Sequence, residues 1–221
     1  MPQSSRRLQG LTVEEYQPKP RGRPKDQQRR ARIVESAMKL FLEHGMQAVS
    51  IEVIASHAGV SNRTVYSHFA TKQDLLWAVI VQASESMRPM IQGSETLTLA
   101  ELRNQLIEFG VALVSLLTTP TIVKLGNLML SEAARHPDLA KQFYDWGPRS
   151  GQLALAQLLE SAKQRKLIAE DASPQMSHHL LAMFQGTWHH EQQLGISKPM
   201  TKPAIKKHVI ECVDFFLRSI T

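Results

Sequence analysis

Apolar residues recur at three- and four-residue steps over most of this chain, the period of amphipathic helices. Ile33, Ala37, Leu40 and Phe41 open the pattern and predict a first helix over residues 27–44, stopped by Gly45. Ser50 is placed to cap a second helix, 51–58, which turns Ile51, Ile54, Ala55 and Ala58 inward. Gly59 supplies the left-handed residue that ends it. Ser61 caps a third helix, 62–68, with Val65 and Phe69 one turn apart on its buried side; Asn62, Arg63, Thr64, Ser67 and His68 fall on the other faces. Thr71 and Asp74 form a capping-box-like pair ahead of Leu75-Leu76-Trp77, and that fourth helix is expected to run to about Arg88, before Pro89.

The period returns after Gly93. Leu99, Leu102, Leu106, Phe109, Leu113 and Leu116 mark a helix over 97–118. Ile107, Val111 and Val114 line a second side, so it is expected to be buried on more than one face. Pro120 starts the next, with Leu125, Leu128 and Met129 inward and an end near His136-Pro137. A short piece, Leu139–Tyr144, stops at Gly147-Pro148, and Ser150–Lys166 carries Leu155, Leu158, Leu159 and Ala162 on one face. Ser173-Pro174 opens a helix of 174–191, and the last spans about 202–219. No stretch alternates as a strand does. The expected fold is all-α, with about nine helices in three parts: a disordered arm (1–26), a three-helix module (27–74), and a larger helical module (75–221) joined to it by a long helix.

Charge sharpens this division. The net charge is +6, but residues 1–74 hold 12 Lys/Arg against 7 Asp/Glu, and residues 75–221 hold 14 against 13. A basic module joined to a nearly neutral one suggests a polyanionic partner for the first part alone. The arm Lys19-Pro20-Arg21-Gly22-Arg23-Pro24-Lys25 suits phosphates or a narrow minor groove, with Arg29, Arg30 and Arg32 beside it. The one cysteine, Cys212, sits on an apolar stripe; it excludes an internal disulfide and a cysteine-based zinc pattern. The N-terminus has no apolar signal region, and the longest apolar runs fall far short of the ~20 residues that span a bilayer. The expectation is a cytoplasmic protein, associated with the nucleoid through DNA, with no membrane partner.

The run from Ala55 to Phe69, with its turn at Gly59 and cap at Ser61, has the short helix, tight turn and short helix of a helix-turn-helix reader. Around it stand Ile33-Val34-Glu35-Ser36-Ala37, Leu40-Phe41, Ser50-Ile51-Glu52-Val53-Ile54-Ala55, Ala58-Gly59-Val60-Ser61, Thr64-Val65-Tyr66, His68-Phe69, Lys72 and Asp74-Leu75-Leu76. On these residues the span Arg30–Val81 resembles the N-terminal domain of the TetR/AcrR transcriptional regulators. Ser131-Glu132-Ala133, His136-Pro137-Asp138-Leu139 and Phe143-Tyr144 are similar to the AefR-like ligand domains. The resemblance implies phosphate contacts at Thr64, Tyr66, His68 and Lys72, with Ser50 and Ser61 at helix starts and Ser67 beside them. Asn62 and Arg63, at the family's variable positions, are the expected base readers, Arg63 for guanine and Asn62 for adenine. Plainer roles stand beside these: Arg63 on phosphate, His68 packed on the hairpin, Tyr66 partly buried.

The resemblance also implies a helix-turn-helix DNA-binding domain over 27–74 behind the basic arm, and a helical effector-binding and dimerisation domain over 75–221, hence a homodimer and a small-molecule pocket. Leu180 and Phe184 in one helix, and Ile205, Val209, Cys212 and Phe216 in the last, form stripes that could pair with a two-fold copy. Phe109, Leu113, Leu125, Met129, Phe143, Trp146, Met183 and Trp188 are large apolar residues that could line a cavity, although each also suits ordinary core. His178, His179, His189 and His190 lack the spacing to share one metal ion, so no metal and no cofactor are expected. No Gly-rich phosphate loop or nucleophile elbow is present, and the serine of Gly147-Pro148-Arg149-Ser150-Gly151 falls one place late. The function expected is a transcriptional regulator, a repressor released from a palindromic double-stranded DNA operator by a small hydrophobic effector. The alternative is an architectural or cell-division DNA-binding protein of the same fold without an effector.

Overall fold

The structure, a computed structural model, describes residues 24–84, 98–169 and 175–220. Among them are ten α-helices and no strand: α1 Pro24–His44, α2 Ile51–Ala58, α3 Asn62–His68, α4 Lys72–Ser84, α5 Leu99–Leu117, α6 Pro120–Glu132, α7 Pro137–Trp146, α8 Pro148–Gln164, α9 Met176–Gln193 and α10 Lys202–Ile220. α1 starts inside the stretch assigned to the arm. Pro24 is suited to a first helical position, and Asp26 in the first turn favours the positive helix end. Arg21 and Arg23, the expected stop at Pro89 and the Ser173-Pro174 helix start lie outside the described residues.

Two hydrophobic cores organise the helices. The first joins Ile33, Val34, Ala37 and Phe41 of α1 to Ile54, Val65 and Phe69 of the hairpin, and to Leu75, Leu76, Val79 and Ile80 of α4. It also takes in Leu125, Leu128 and Met129 of α6 and Leu139 of α7. The second is built on α5, which contributes Leu102, Leu106, Phe109 and Val114 to a cluster with α8, α9 and α10. α5 starts with a complete capping box between Thr98 and Glu101. Arg103 ties α5 to α10, its Nε donating to Asp214 Oδ1 at 2.6 Å and its Nη2 to Oδ2 at 2.9 Å. These hydrogen bonds hold the Asp214 carboxyl below the ordinary carboxylate range. The tie is therefore present above that range and is lost as pH falls through the depressed folded value.

Leu180, Phe184, Ile205, Val209, Cys212 and Phe216, the residues expected at a subunit interface, are all buried within the single chain. The apolar stripes of α9 and α10 are spent on α5 and α8, so a second copy would have to meet their other faces. The expected pocket residues are likewise divided. Leu125, Met129 and Phe143 pack with the first core, while Phe109, Leu113, Met183 and Trp188 belong to the second. Trp146 meets Trp77 edge-on, ring centres 6.2 Å apart.

α9 is also not one continuous helix. Gly186 (φ 50°, ψ −169°) interrupts it, in a conformation that side-chain-bearing residues rarely adopt. Partners from outside the helix ladder bond the carbonyls before the break. Phe184 O lies 3.1 Å from Trp188 Nε1 and 3.0 Å from His208 Nε2, and the Cys212 thiol donates to Met183 O at 3.5 Å. Burial pushes that thiol up from its usual range, which leaves Cys212 a packing residue.

The close fit of α5 yields a test. A Cβ on Gly110 would lie 2.6 Å from Val209 Cγ1 and 2.7 Å from Phe184 Cζ, whereas one on Gly126 would meet only Gln193 Nε2, at 3.7 Å. Overpacking costs about 1–3 kcal/mol, and alanine gains about 1 kcal/mol over glycine in a helix. Gly110→Ala should thus lower stability to urea by up to about 2 kcal/mol, and Gly126→Ala should leave it equal or raise it. Equal urea midpoints for Gly110→Ala and wild type would contradict this packing.

Candidate nucleic-acid interface

The hairpin is built from its caps. Ser50 Oγ accepts from Val53 N–H at the start of α2, and Gly59 (φ 65°, ψ 42°) closes it with its N–H directed to Ala55 O and Ser56 O. Ser61 Oγ accepts from Thr64 N–H at 3.2 Å and opens α3. α3 is seven residues long, too short to persist in water alone. Val65 and Phe69, both buried, hold it against the first core. The Arg30 guanidinium lies 5.1 Å from the centre of the Phe69 ring and covers the end of α3 from α1.

The outer face of α3 is polar. Asn62, Arg63 and Ser67 are exposed, and Tyr66 is 53% exposed. Positions 62 and 66, and 63 and 67, are one turn apart, so these four share a face. Two hydroxyls already serve the helix: Thr64 Oγ1 lies 2.9 Å from Ser61 Oγ, and Ser67 donates to Thr64 O at 2.7 Å. Asn62 and Arg63 project to solvent beside them, and Arg29 and Arg30 are exposed near the start of α1.

Three residues expected on phosphates have internal work. The side chain of His68 is only 10% exposed, and its Nε2 lies 3.2 Å from Asp26 Oδ1, a placement that matches packing between α3 and α1. Lys72 Nζ donates to Val49 O at 2.9 Å and ties the start of α4 to the loop before α2. The Ser50 hydroxyl, besides its cap, hydrogen-bonds Glu52 and is the main cause holding that carboxyl below its ordinary range. Nothing in the local pattern signals these partners, because Asp26 and Val49 are 42 and 23 positions away from His68 and Lys72.

Elsewhere, no group of three or more metal-ligating side chains is found among the described residues. No single described helix is long and apolar enough to cross a membrane. A surface cleft of about 600 Å³ lies between α1, α2 and the start of α6, lined by Arg32, Glu35, Lys39, His57 and Lys124 among others. It shares no residue with the expected pocket.

Comparison with known proteins agrees with this geometry. Residues 33–79 match the family described as bacterial regulatory proteins, tetR family, and residues 104–219 match the AefR-like transcriptional repressor C-terminal domain. The HTH-type transcriptional regulator YvkB of Bacillus subtilis is 25% identical, over 77% of this chain and 88% of its own length. A putative TetR-family regulator from Mesorhizobium loti superposes with a TM-score of 0.75 at 24% identity, covering 90% of this chain and 99% of that one. The structure titled flavonoid-responsive regulator FrrA superposes with a TM-score of 0.74 at 29% identity, covering 88% and 98%. With a helix-turn-helix whose outer face is free and a helical second half matched over most of its length, the chain belongs to the TetR family of DNA-binding transcriptional regulators and is not an enzyme.

Proposed function

We propose that this regulator is a repressor, which binds a palindromic operator as a homodimer and is released by a small, largely apolar effector. The observation that carries the DNA reading is the α3 face, where Asn62 and Arg63 are exposed beside hydroxyls already committed to the helix. Arg63 reads guanine and Asn62 adenine, while Tyr66 and the α1 arginines grip phosphates. Lys72 acts chiefly by fixing the α2–α3 unit on α4, with charge to spare for the backbone. The match to an AefR-like repressor domain supports repression. The FrrA likeness supports an aromatic effector, because that protein is described as flavonoid-responsive. Such a molecule would enter beside the Trp77–Trp146 pair, between α4 and the end of α7, and act by favouring a spacing of the reading helices that DNA does not accept. Work on DNA places the protein in the cytoplasm, at the nucleoid.

The dimer forms through the outer faces of α9 and α10, which the monomer core leaves uncovered. Phe215, 61% exposed, is the large apolar residue there, on the same side as Ala204 and Glu211. A two-fold pair would set the reading helices about one DNA turn apart, ~34 Å.

Two measurements test this reading. Genome-wide mapping of bound sites should return a palindrome, and binding to it should separate two variants. Arg63→Ala should reduce discrimination between the operator and single-base variants about ten-fold or more. Lys72→Ala should weaken all DNA alike and lower the salt slope by about 1. Wild-type binding by both variants would refute the assignment. For the dimer, Phe215→Asp should sediment as a folded monomer; a variant that stays dimeric places the interface elsewhere.

A further inference from the structure

The stretch Ser131–Leu139 holds a charge that neither DNA contact nor core packing uses. Glu132, in the last turn of α6, is 3% exposed. A buried carboxylate is costly unless paired, so its partners indicate what it is for. Gln47 Nε2, from the turn between α1 and α2, donates to Glu132 Oε2 at 2.7 Å across 85 residues of sequence. His136 Nε2 faces the same oxygen at 3.7 Å. The other ring nitrogen of His136, Nδ1, lies 3.0 Å from Gln73 Nε2 on the first turn of α4. With the Gln73 amide donating to Nδ1, the ring proton sits on Nε2, toward the carboxylate.

We propose that this chain of four side chains, Gln47–Glu132–His136–Gln73, is the joint through which the α6–α7 corner holds and moves the reading head. The corner itself is rigid. His136 N–H bonds Glu132 O at 2.9 Å, Ala140 N–H bonds His136 O at 3.0 Å, and Pro137 fixes the backbone at the start of α7. The reading head is gripped at both ends. Gln47 lies three residues before the α2 cap, and Gln73 follows Lys72, whose ammonium holds Val49. The bridge therefore brackets the α2–α3 unit without touching its DNA face. Leu125, Leu128 and Met129 of α6 supply non-directional packing against the same domain. The polar bridge adds direction, because a turn of α6 that moved Glu132 would have to carry Gln47 with it or break their 2.7 Å hydrogen bond, leaving the buried carboxylate to His136 alone.

The inference rests on the second half of the chain regulating the first, and its test has one arm that needs no DNA. Hydrogen exchange is followed by mass spectrometry on the full-length protein. Gln47→Ala, at a surface position, should keep wild-type helicity yet raise exchange in α2 and α3 about ten-fold or more, with α8–α10 unchanged. Glu132→Gln should fall between that variant and wild type, since its carbonyl still accepts from Gln47. Unchanged α2–α3 exchange in Gln47→Ala overturns the joint. In the second arm, the mapped operator duplex should protect α6 and α7 of the wild type, because coupling is reciprocal. Gln47→Ala should bind the duplex and lose that distant protection; protection equal to wild type also overturns the proposal. Failure of wild type to bind any duplex would count against the regulator reading, and the DNA-free arm would still decide the joint.

Discussion

A reading helix of two turns cannot hold itself together. Seven residues give too few internal hydrogen bonds to offset the cost of starting a helix, so α3 exists only as far as the rest of the protein supports it. Its support comes from three sides. Val65 and Phe69 anchor it in the first core, Ser61 caps its start, and Arg30 and His68 connect its end to α1. This constraint explains why so many polar side chains of the module turn inward. Lys72 and His68, at positions where phosphate contacts are expected, also hold the reader from inside, and Asn62 and Arg63 are left on the open face.

The short-range part of this arrangement was legible in the sequence. Caps and turn residues act over three or four positions, so Ser50, Gly59 and Ser61 announce the hairpin, and the inward set Ile54, Ala58, Val65 and Phe69 follows from helical period alone. The period of α5 likewise announces one buried face, Leu102, Leu106, Phe109 and Val114, whereas Ile107 and Val111 of the expected second face are only half-buried. The roles of His68 and Lys72 were not legible, because each is settled by a partner on another helix or loop. Gln47 and Glu132 are separated by 85 residues, and nothing near either reveals the other.

The face of α9 and α10 shows a different limit. An amphipathic stripe says that a helix is covered, and it does not say by what. Leu180, Phe184, Ile205, Val209, Cys212 and Phe216 have the spacing of a bundle interface, and α5 with α8 takes that stripe within one chain. The same ambiguity affects the expected pocket, since a large apolar side chain has the same chemistry in a core as in a cavity wall. Gly186 adds a third case. A glycine inside a periodic segment is usually tolerated as helix, but the backbone of Gly186 is non-helical, and the side chains of Trp188 and His208 bond the Phe184 carbonyl beside the break.

The two cores do not follow the division drawn from charge. The first reaches past the basic module and includes α4, α6 and part of α7, while α5 and α8–α10 form the second. Packed cores deform little and move as bodies, so the natural plane of movement runs between α6–α7 and α5–α8, inside the neutral half of the chain. A molecule wedged in that plane would not need to reach the reading head. It would shift α6 and α7, which already share a core with α1–α4 and are keyed to the head by a buried carboxylate. On the proposed reading, the distance from such a molecule to DNA would be crossed by a rigid body that begins at the seam, keyed to the head at Glu132 and Gln47.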